Sequence, residues 1–128
     1  NVTVLSGTLA RTGYVFDGWF DAALEFFYNA GDVFPIYSDT TLNPIWIELF
    51  TVTYNGNDST SGTVPTDNAS PYETGSFVVV LPKGTLERAG YAFTNWNTLA
   101  NGAGTAYDVD DQFEIFEFRV VNKKFNRV

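Results

Sequence analysis

The nonapeptide RTGYVFDGW, Arg11 to Trp19, returns as RAGYAFTNW from Arg88 to Trp96. A chain of 128 residues that writes nearly the same aromatic stretch twice is built from two related units. The surroundings repeat as well. VLSGTL before the first copy answers to VLPKGTL before the second, with one extra residue in the latter. Gly7, Leu9, Arg11, Gly13, Tyr14, Phe16 and Trp19 fall on Gly84, Leu86, Arg88, Gly90, Tyr91, Phe93 and Trp96. Further on, YNAGDVFPI (Tyr28 to Ile36) matches YDVDDQFEI (Tyr107 to Ile115), and Leu42, Asn43 and Trp46 fall on Val121, Asn122 and Phe125. From Gly7 onward, length varies only between the Trp and the following Tyr, where a surface loop absorbs it.

Shared Gly, Tyr, Phe and Trp positions point to shared core and turn geometry before they point to a binding site. Gly13 and Gly90 are expected at a positive φ or a close backbone approach. Tyr14 with Phe16, and Tyr91 with Phe93, alternate as strand residues do. Trp19 and Trp96 are expected to be equivalent buried anchors, each removing on the order of 150–250 Å² from water.

GYVFDGW, a variable stretch, and then DTTLNPIW (Asp39 to Trp46) resemble the Listeria–Bacteroides repeat, the B repeat of internalin-type surface proteins. FTVTYNGNDSTSGTVPTD, from Phe50, resembles that repeat's first strand and its Gly/Asn-rich turn. The second copy departs from the pattern, with Asn95 in place of Gly and RVVNKKF in place of TTLNPIW. The resemblance implies a mostly β fold of tandem β-grasp-like, ubiquitin-related units with little helix. It also implies tandem arrays on bacterial surfaces, adhesive or spacer roles, and no catalysis.

The residues read the same way. Phe50, Val52 and Tyr54 alternate with threonines up to a turn at Asn55–Asp58. Phe77 to Leu81 is a continuous apolar run stopped by Pro82, as in a buried strand. Phe113 and Ile115 alternate with acids, and Phe116, Phe118 and Val120 continue in the opposite phase, which predicts a bulge near Ile115–Phe116. Only Asp21 to Phe27, DAALEFF, has a helical composition, and it is too short to sustain a helix by itself. Asn55 to Pro71 reads as an exposed polar loop. No turn signal separates Ile45 from Tyr54, so the copies join stiffly. Residues 1–48 form a partial repeat lacking its first strand, with nothing to match Phe50 to Ser76, and 49–128 form a complete one. The partial copy is expected to leave an unpaired edge, a template for another chain.

Composition narrows function by exclusion. The net charge of −8 repels phosphate backbones, so no nucleic-acid partner is expected. Cys and His are absent, which removes disulfides, zinc fingers, thiol catalysis and the usual serine triad. No apolar run reaches the roughly 18 residues of a membrane span. The chain opens without Met or a basic, apolar leader and reads as a mature product or an excised fragment. No cofactor is expected.

Three groups of residues are candidates for more than packing. Asp108, Asp110 and Asp111 form an acidic turn without the Gly and distal Glu of an EF-hand loop; it reads as solvated, with calcium as the alternative. Asn1, Asn57 and Asn68 open N-x-S/T triplets, the last two in the polar loop. Arg119, Lys123, Lys124 and Arg127 make the tail basic, against fifteen acids and only Arg11, Lys83 and Arg88 before it. Phe113 to Val128 reads as longer than one unit needs. The sequence thus reads as a non-enzymatic, extracellular or cell-surface structural module that self-associates head to tail, its tail meeting a neighbour's first copy. The alternative is a monomeric adhesin or carbohydrate-binding spacer with a glycan or host-surface ligand.

Overall fold

The computed structural model describes residues 1–127, with the backbone alone over 125–127. Every regular element is a strand. No helix occurs among the described residues, and hence none long and apolar enough to cross a membrane. Two compact units divide the chain, Asn1–Leu49 and Phe50–Val128.

In unit 1, β2 (Tyr14–Asp21) lies between β3 (Phe26–Tyr28) and β5 (Asn43–Phe50), antiparallel to both. A separate ribbon pairs β1 (Val2–Thr3) with β4 (Val33–Phe34). The turn into β2 closes where Tyr14 N–H donates to the Arg11 carbonyl at 3.0 Å, and Gly13 there has φ 81°. Asp17 is the extra residue of a bulge opposite β5, and Gly18 beside it has φ 124°. A side chain at Gly18 would place its Cβ 2.8 Å from the Tyr28 carbonyl oxygen.

DAALEFF, the one stretch of helical composition, forms a turn between two strands. The Asp21 carboxylate accepts the Ala23 and Leu24 amides at 2.9 and 3.2 Å, and Glu25 takes φ 53°. These contacts make a tight turn. The aromatic triplet that follows then pairs back on β2, with Phe20 and Phe27 rings 4.7 Å apart.

Unit 2 holds a mixed sheet in the order β10-β9-β12-β6, from β6 (Val52–Asn55), β9 (Tyr91–Asn97), β10 (Ala106–Tyr107) and β12 (Arg119–Arg127). β12 runs antiparallel to β9 and parallel to β6. β8 (Phe77–Val79) and β11 (Gln112–Glu114) form a second ribbon, and β7 (Tyr72–Glu73) is a short strand before it. Phe50, Val52, Tyr54, Val78, Val80, Leu86, Trp96, Ile115 and Val121 make the core.

Two further expectations change here. The apolar run from Phe77 is buried on one face only: Val78 and Val80 are enclosed, whereas Phe77 and Val79 point to solvent. Successive residues of β8 point to opposite faces of the ribbon, and only one face meets the core. The phase slip at Ile115–Phe116 is a bend and not a bulge, because the chain leaves β11 there and enters β12 of another sheet. Bulges occur instead at Asp17 in β2 and at Thr94 in β9, the same place in both units. The polar loop after β6 is tied down: Thr60 N–H donates to the Glu87 carbonyl at 2.7 Å, and Thr63 N–H to the Thr85 hydroxyl at 3.0 Å.

Candidate functional site

The two units share bonds as well as residues. Trp19 Nε1 donates to the Leu5 carbonyl at 2.8 Å, and Trp96 Nε1 to the Leu81 carbonyl at 2.8 Å. Arg11 stands 4.0 Å over the Tyr14 ring, and Arg88 stands 3.9 Å over Tyr91. Phe16 meets Trp19 edge to face at 5.3 Å, and Phe93 meets Trp96 at 5.6 Å. Val4 N–H donates to the Asp32 carbonyl and Val80 N–H to the Asp111 carbonyl, both at 2.8 Å. The duplicated motif is therefore spent on turns, indole bonds and packing.

Against this background one difference is local. In unit 2, β6 pairs with β12 from Arg119 to Asn122, and Tyr54 of β6 lies against Trp96 with ring centroids 4.8 Å apart. The Tyr54 hydroxyl accepts the Leu81 N–H at 3.1 Å. Burial and the Leu81 bond act in opposite senses on that phenol, and burial prevails, raising its pKa. Unit 1 has no counterpart of β6 among its described residues. Thr40–Leu42, which answer to Arg119–Val121, belong to no strand, and β5 begins only at Asn43. Val2, Thr3, Val4, Leu5, Trp19, Thr40 and Leu42 instead line an open groove of about 360 Å³. Trp96 is fully buried, whereas Trp19 is half-buried; Leu86 is 2% exposed and its equivalent Leu9 55%. The expectation of two equally buried indoles thus holds for Trp96 alone, which β6 and Tyr54 cover, whereas no such strand covers Trp19 among the described residues.

The sequence profile of the Listeria-Bacteroides repeat domain matches residues 1–43 and 50–117. The chain belongs to the Listeria–Bacteroides repeat family. Two proteins of Evansella cellulosilytica are similar to it. One, named "Putative Gly-rich membrane protein", is 36% identical over 121 residues, covering 85% of this chain and 13% of that protein. The other, named "Putative membrane protein", is 33% identical over 106 residues, covering 82% of this chain and 16% of its own length. The chain thus spans less than a fifth of either relative. No solved structure matches it.

Within this Listeria–Bacteroides repeat chain, the basic tail is no surplus segment. Arg119–Asn122 pair with β6 and Asn122–Arg127 with β9, so the tail is an inner strand of its own sheet. Lending it to a neighbour would strip unit 2 of that strand, which corrects the view of Phe113 to Val128 as excess length. Lys123 is buried, with its amine 5.7 Å from the Phe93 ring centroid, and burial lowers its pKa. Arg119 lies 5.5 Å from the Phe113 ring centroid, and Lys124 is half-buried against Gly102. The side chain of Arg127 lies outside the described residues.

The acids and sequons are placed as follows. Asp111 Oδ2 accepts the Asp108 N–H at 2.7 Å, as Asp32 Oδ2 accepts the Asn29 N–H at 2.7 Å in unit 1. Asp110, at φ 71°, takes the place of Gly31 at φ 90°. These acids build a turn, and among the described residues no three potential metal-ligating side chains converge. Asn1 and Asn68 are exposed. Asn57 is engaged: its side-chain amide donates to the Ala100 carbonyl at 2.8 Å and to the Lys123 carbonyl at 2.9 Å.

Proposed function

We propose that the chain is a non-enzymatic structural module of a cell-surface protein, its β-grasp-like units serving as rigid spacers that pair strands with neighbouring chains. One observation carries this reading. The Arg, Tyr, Phe and Trp residues shared by the two units are engaged within each unit by turns, ring contacts and indole bonds rather than presented as a ligand site. The membership of the surface-associated repeat family and the names of the two Evansella proteins support an exported setting. The parallel pairing of the first and last strands of unit 2 supports the β-grasp-like part. Repeated from chain to chain without closure, such heterologous pairing yields an open fibre.

Antibodies to the chain, applied to intact and lysed cells of the organism that makes it, test the placement. Labelling of intact cells, with gold particles along surface filaments, is the expected result. Labelling confined to lysed cells would end this reading.

A second reading, of a ligand-binding spacer, draws on the exposed aromatics of unit 1: Tyr37 is 92% exposed, and Phe26 and Phe27 also face solvent. Titration with soluble glycans, followed by NMR shifts at these three residues, decides whether they form a platform.

A further inference from the structure

We infer that a recess in unit 2 is a binding site for an acidic saccharide, taking the carboxylate and neighbouring hydroxyls of a uronic-acid residue. The recess has a volume of about 190 Å³ and is lined by Asn57, Asp58, Arg88, Asn101, Gly102 and Lys124. These residues come from the turn after β6, the turn before β9, the loop between β9 and β10, and β12. The inference stands apart from strand pairing and from the exposed aromatics of unit 1.

Two cations meet there in a chain of net charge −8. Arg88 lies 3.9 Å over the Tyr91 ring. Stacking sets the plane of a guanidinium and keeps its N–H edge suited to a carboxylate. Lys124 runs along Gly102, where an added Cβ would stand 3.2 Å from its Cε and 3.4 Å from its Cδ. A glycine at φ 78° thus makes room for the lysine stem. The repeat fold does not require this lysine, because the aligned residue of unit 1 is Ile45.

The rim of the recess is held in place. The Asn57 amide donates to the Ala100 carbonyl at 2.8 Å and to the Lys123 carbonyl at 2.9 Å, joining the loop to β12 beside Asn101 and Lys124. Asn97, 1% exposed, fixes the same loop. Its Oδ1 accepts the Leu99 and Gly104 N–H groups at 3.0 and 2.9 Å, and its Nδ2 donates to the Gly102 carbonyl at 3.1 Å. A rim ordered in advance lowers the ordering cost of binding.

The donors and acceptors of the recess select the ligand. Asn101 Oδ1 accepts the Ala103 N–H at 3.0 Å, which leaves its Nδ2 hydrogens for a ligand oxygen. Arg88 and Lys124 only donate. Asp58 makes no ion pair among the described residues, and a carboxylate only accepts. Three donor groups, two of them charged, therefore face one acceptor. A sugar carboxylate answers the donors, and the hydroxyls beside it answer Asp58. A neutral sugar leaves the cations unmatched, and an inorganic anion brings no hydroxyl for Asp58.

The test titrates sodium glucuronate into the intact, isotope-labelled chain and follows binding by NMR. Glucose serves as the neutral probe and sodium sulfate as the anion without hydroxyls. Glucuronate should shift the Asn101 and Gly102 amides and the Arg88 side-chain N–H at concentrations at least about tenfold below either control. Added sodium chloride should weaken it. Lys124→Gln keeps a stem along Gly102, and Lys124→Ile installs the residue of unit 1; each should weaken glucuronate at least about fivefold. Asp58→Ala should narrow the preference for glucuronate over sulfate. An unmoved Trp96 indole signal shows that each variant is folded. The inference falls if glucuronate leaves Asn101 and Gly102 unmoved, or if glucose or sulfate shifts them at equal concentration. It falls equally if both Lys124 variants bind as the parent does. Surface placement is decided separately by the cell-labelling experiment.

Discussion

Trp96 Nε1 donates to the Leu81 carbonyl at 2.8 Å from a ring that is 0% exposed. Its twin, Trp19, makes the same bond to Leu5 at 2.8 Å from a residue that is only partly buried. The same residue, in the same turn and with the same bond, therefore carries different weight in the two units. Trp96→Ala removes a fully packed indole and should cost unit 2 about 3–5 kcal/mol. Trp19→Ala empties a site already open on one side and should cost unit 1 about 1–3 kcal/mol. Urea unfolding read by hydrogen exchange at Val78 and Val121 for unit 2, and at Val4 and Tyr28 for unit 1, measures both. Equal costs would contradict the asymmetry.

How far the sequence discloses this depends on the kind of signal. Alternation with glycine punctuation was enough to read β6, the turn glycines and the paired aromatics, because period two and positive φ are local demands. Alternation cannot tell a bulge from a chain that leaves one sheet for another, so Ile115–Phe116 was misread. The run from Phe77 was misread because hydrophobicity does not record how many faces of a ribbon are covered. Lys123 was counted as tail charge, although alternation places it on the face of Val121, where its alkyl stem can be buried.

Gly18 and Asn95 occupy the same step after the bulge, under different constraints. Gly18 sits at φ 124°, and an added Cβ would meet the Tyr28 carbonyl oxygen at 2.8 Å. Asn95 has no left-handed φ, and its Oδ1 is buried without a hydrogen-bond partner. Gly18→Ala should therefore destabilise by about 2–4 kcal/mol from backbone strain and collision. Asn95→Ala should stay within about 1 kcal/mol of the parent, since no hydrogen bond to Oδ1 is lost. Thermal unfolding of the two variants side by side settles the ranking, and a larger loss for Asn95→Ala would overturn it.

Asn57 reads in the sequence as a turn residue and a sequon, yet its amide bridges the Ala100 and Lys123 carbonyls from a left-handed backbone at φ 44°. Asn57→Ala should cost about 1–3 kcal/mol by leaving those carbonyls without their donor. Asn57→Gly keeps the backbone freedom and loses the same bonds, so the difference between the two variants isolates the strain. A glycan on Asn57 would compete with both bonds. Asn68 is exposed, so Asn68→Ala should leave stability unchanged within about 0.5 kcal/mol. Denaturant midpoints of the three variants provide the comparison, and a neutral Asn57→Ala would refute the bridging role.

The pH dependence of unit 2 follows from two tyrosines and a lysine that titrate in opposite senses. Burial raises the Tyr54 phenol above its ordinary pKa of 10.0. Burial likewise raises Tyr72, reinforced by the bond its hydroxyl donates to Asp67 Oδ2 at 2.6 Å. A raised folded-state pKa means that the folded unit prefers the protonated phenol. That contribution is complete below pH 10.0 and is lost as pH rises through the folded-state values. Lys123 is displaced the other way, since burial lowers its pKa from 10.5. The folded unit disfavours its charged form, so this penalty is full below the folded-state pKa and fades as pH climbs from there toward 10.5. Stability should accordingly rise on the alkaline approach to pH 10 and then fall beyond it. Lys123→Met should remove the rise. Tyr54→Phe and Tyr72→Phe should each remove part of the fall, along with one late step in the ultraviolet titration of tyrosinate. Asp67→Asn should bring Tyr72 ionisation to lower pH, because it takes away the carboxylate's charge. Urea midpoints measured from pH 7 to 12 test all four variants, and a fall that survives both tyrosine replacements would assign the alkaline transition elsewhere.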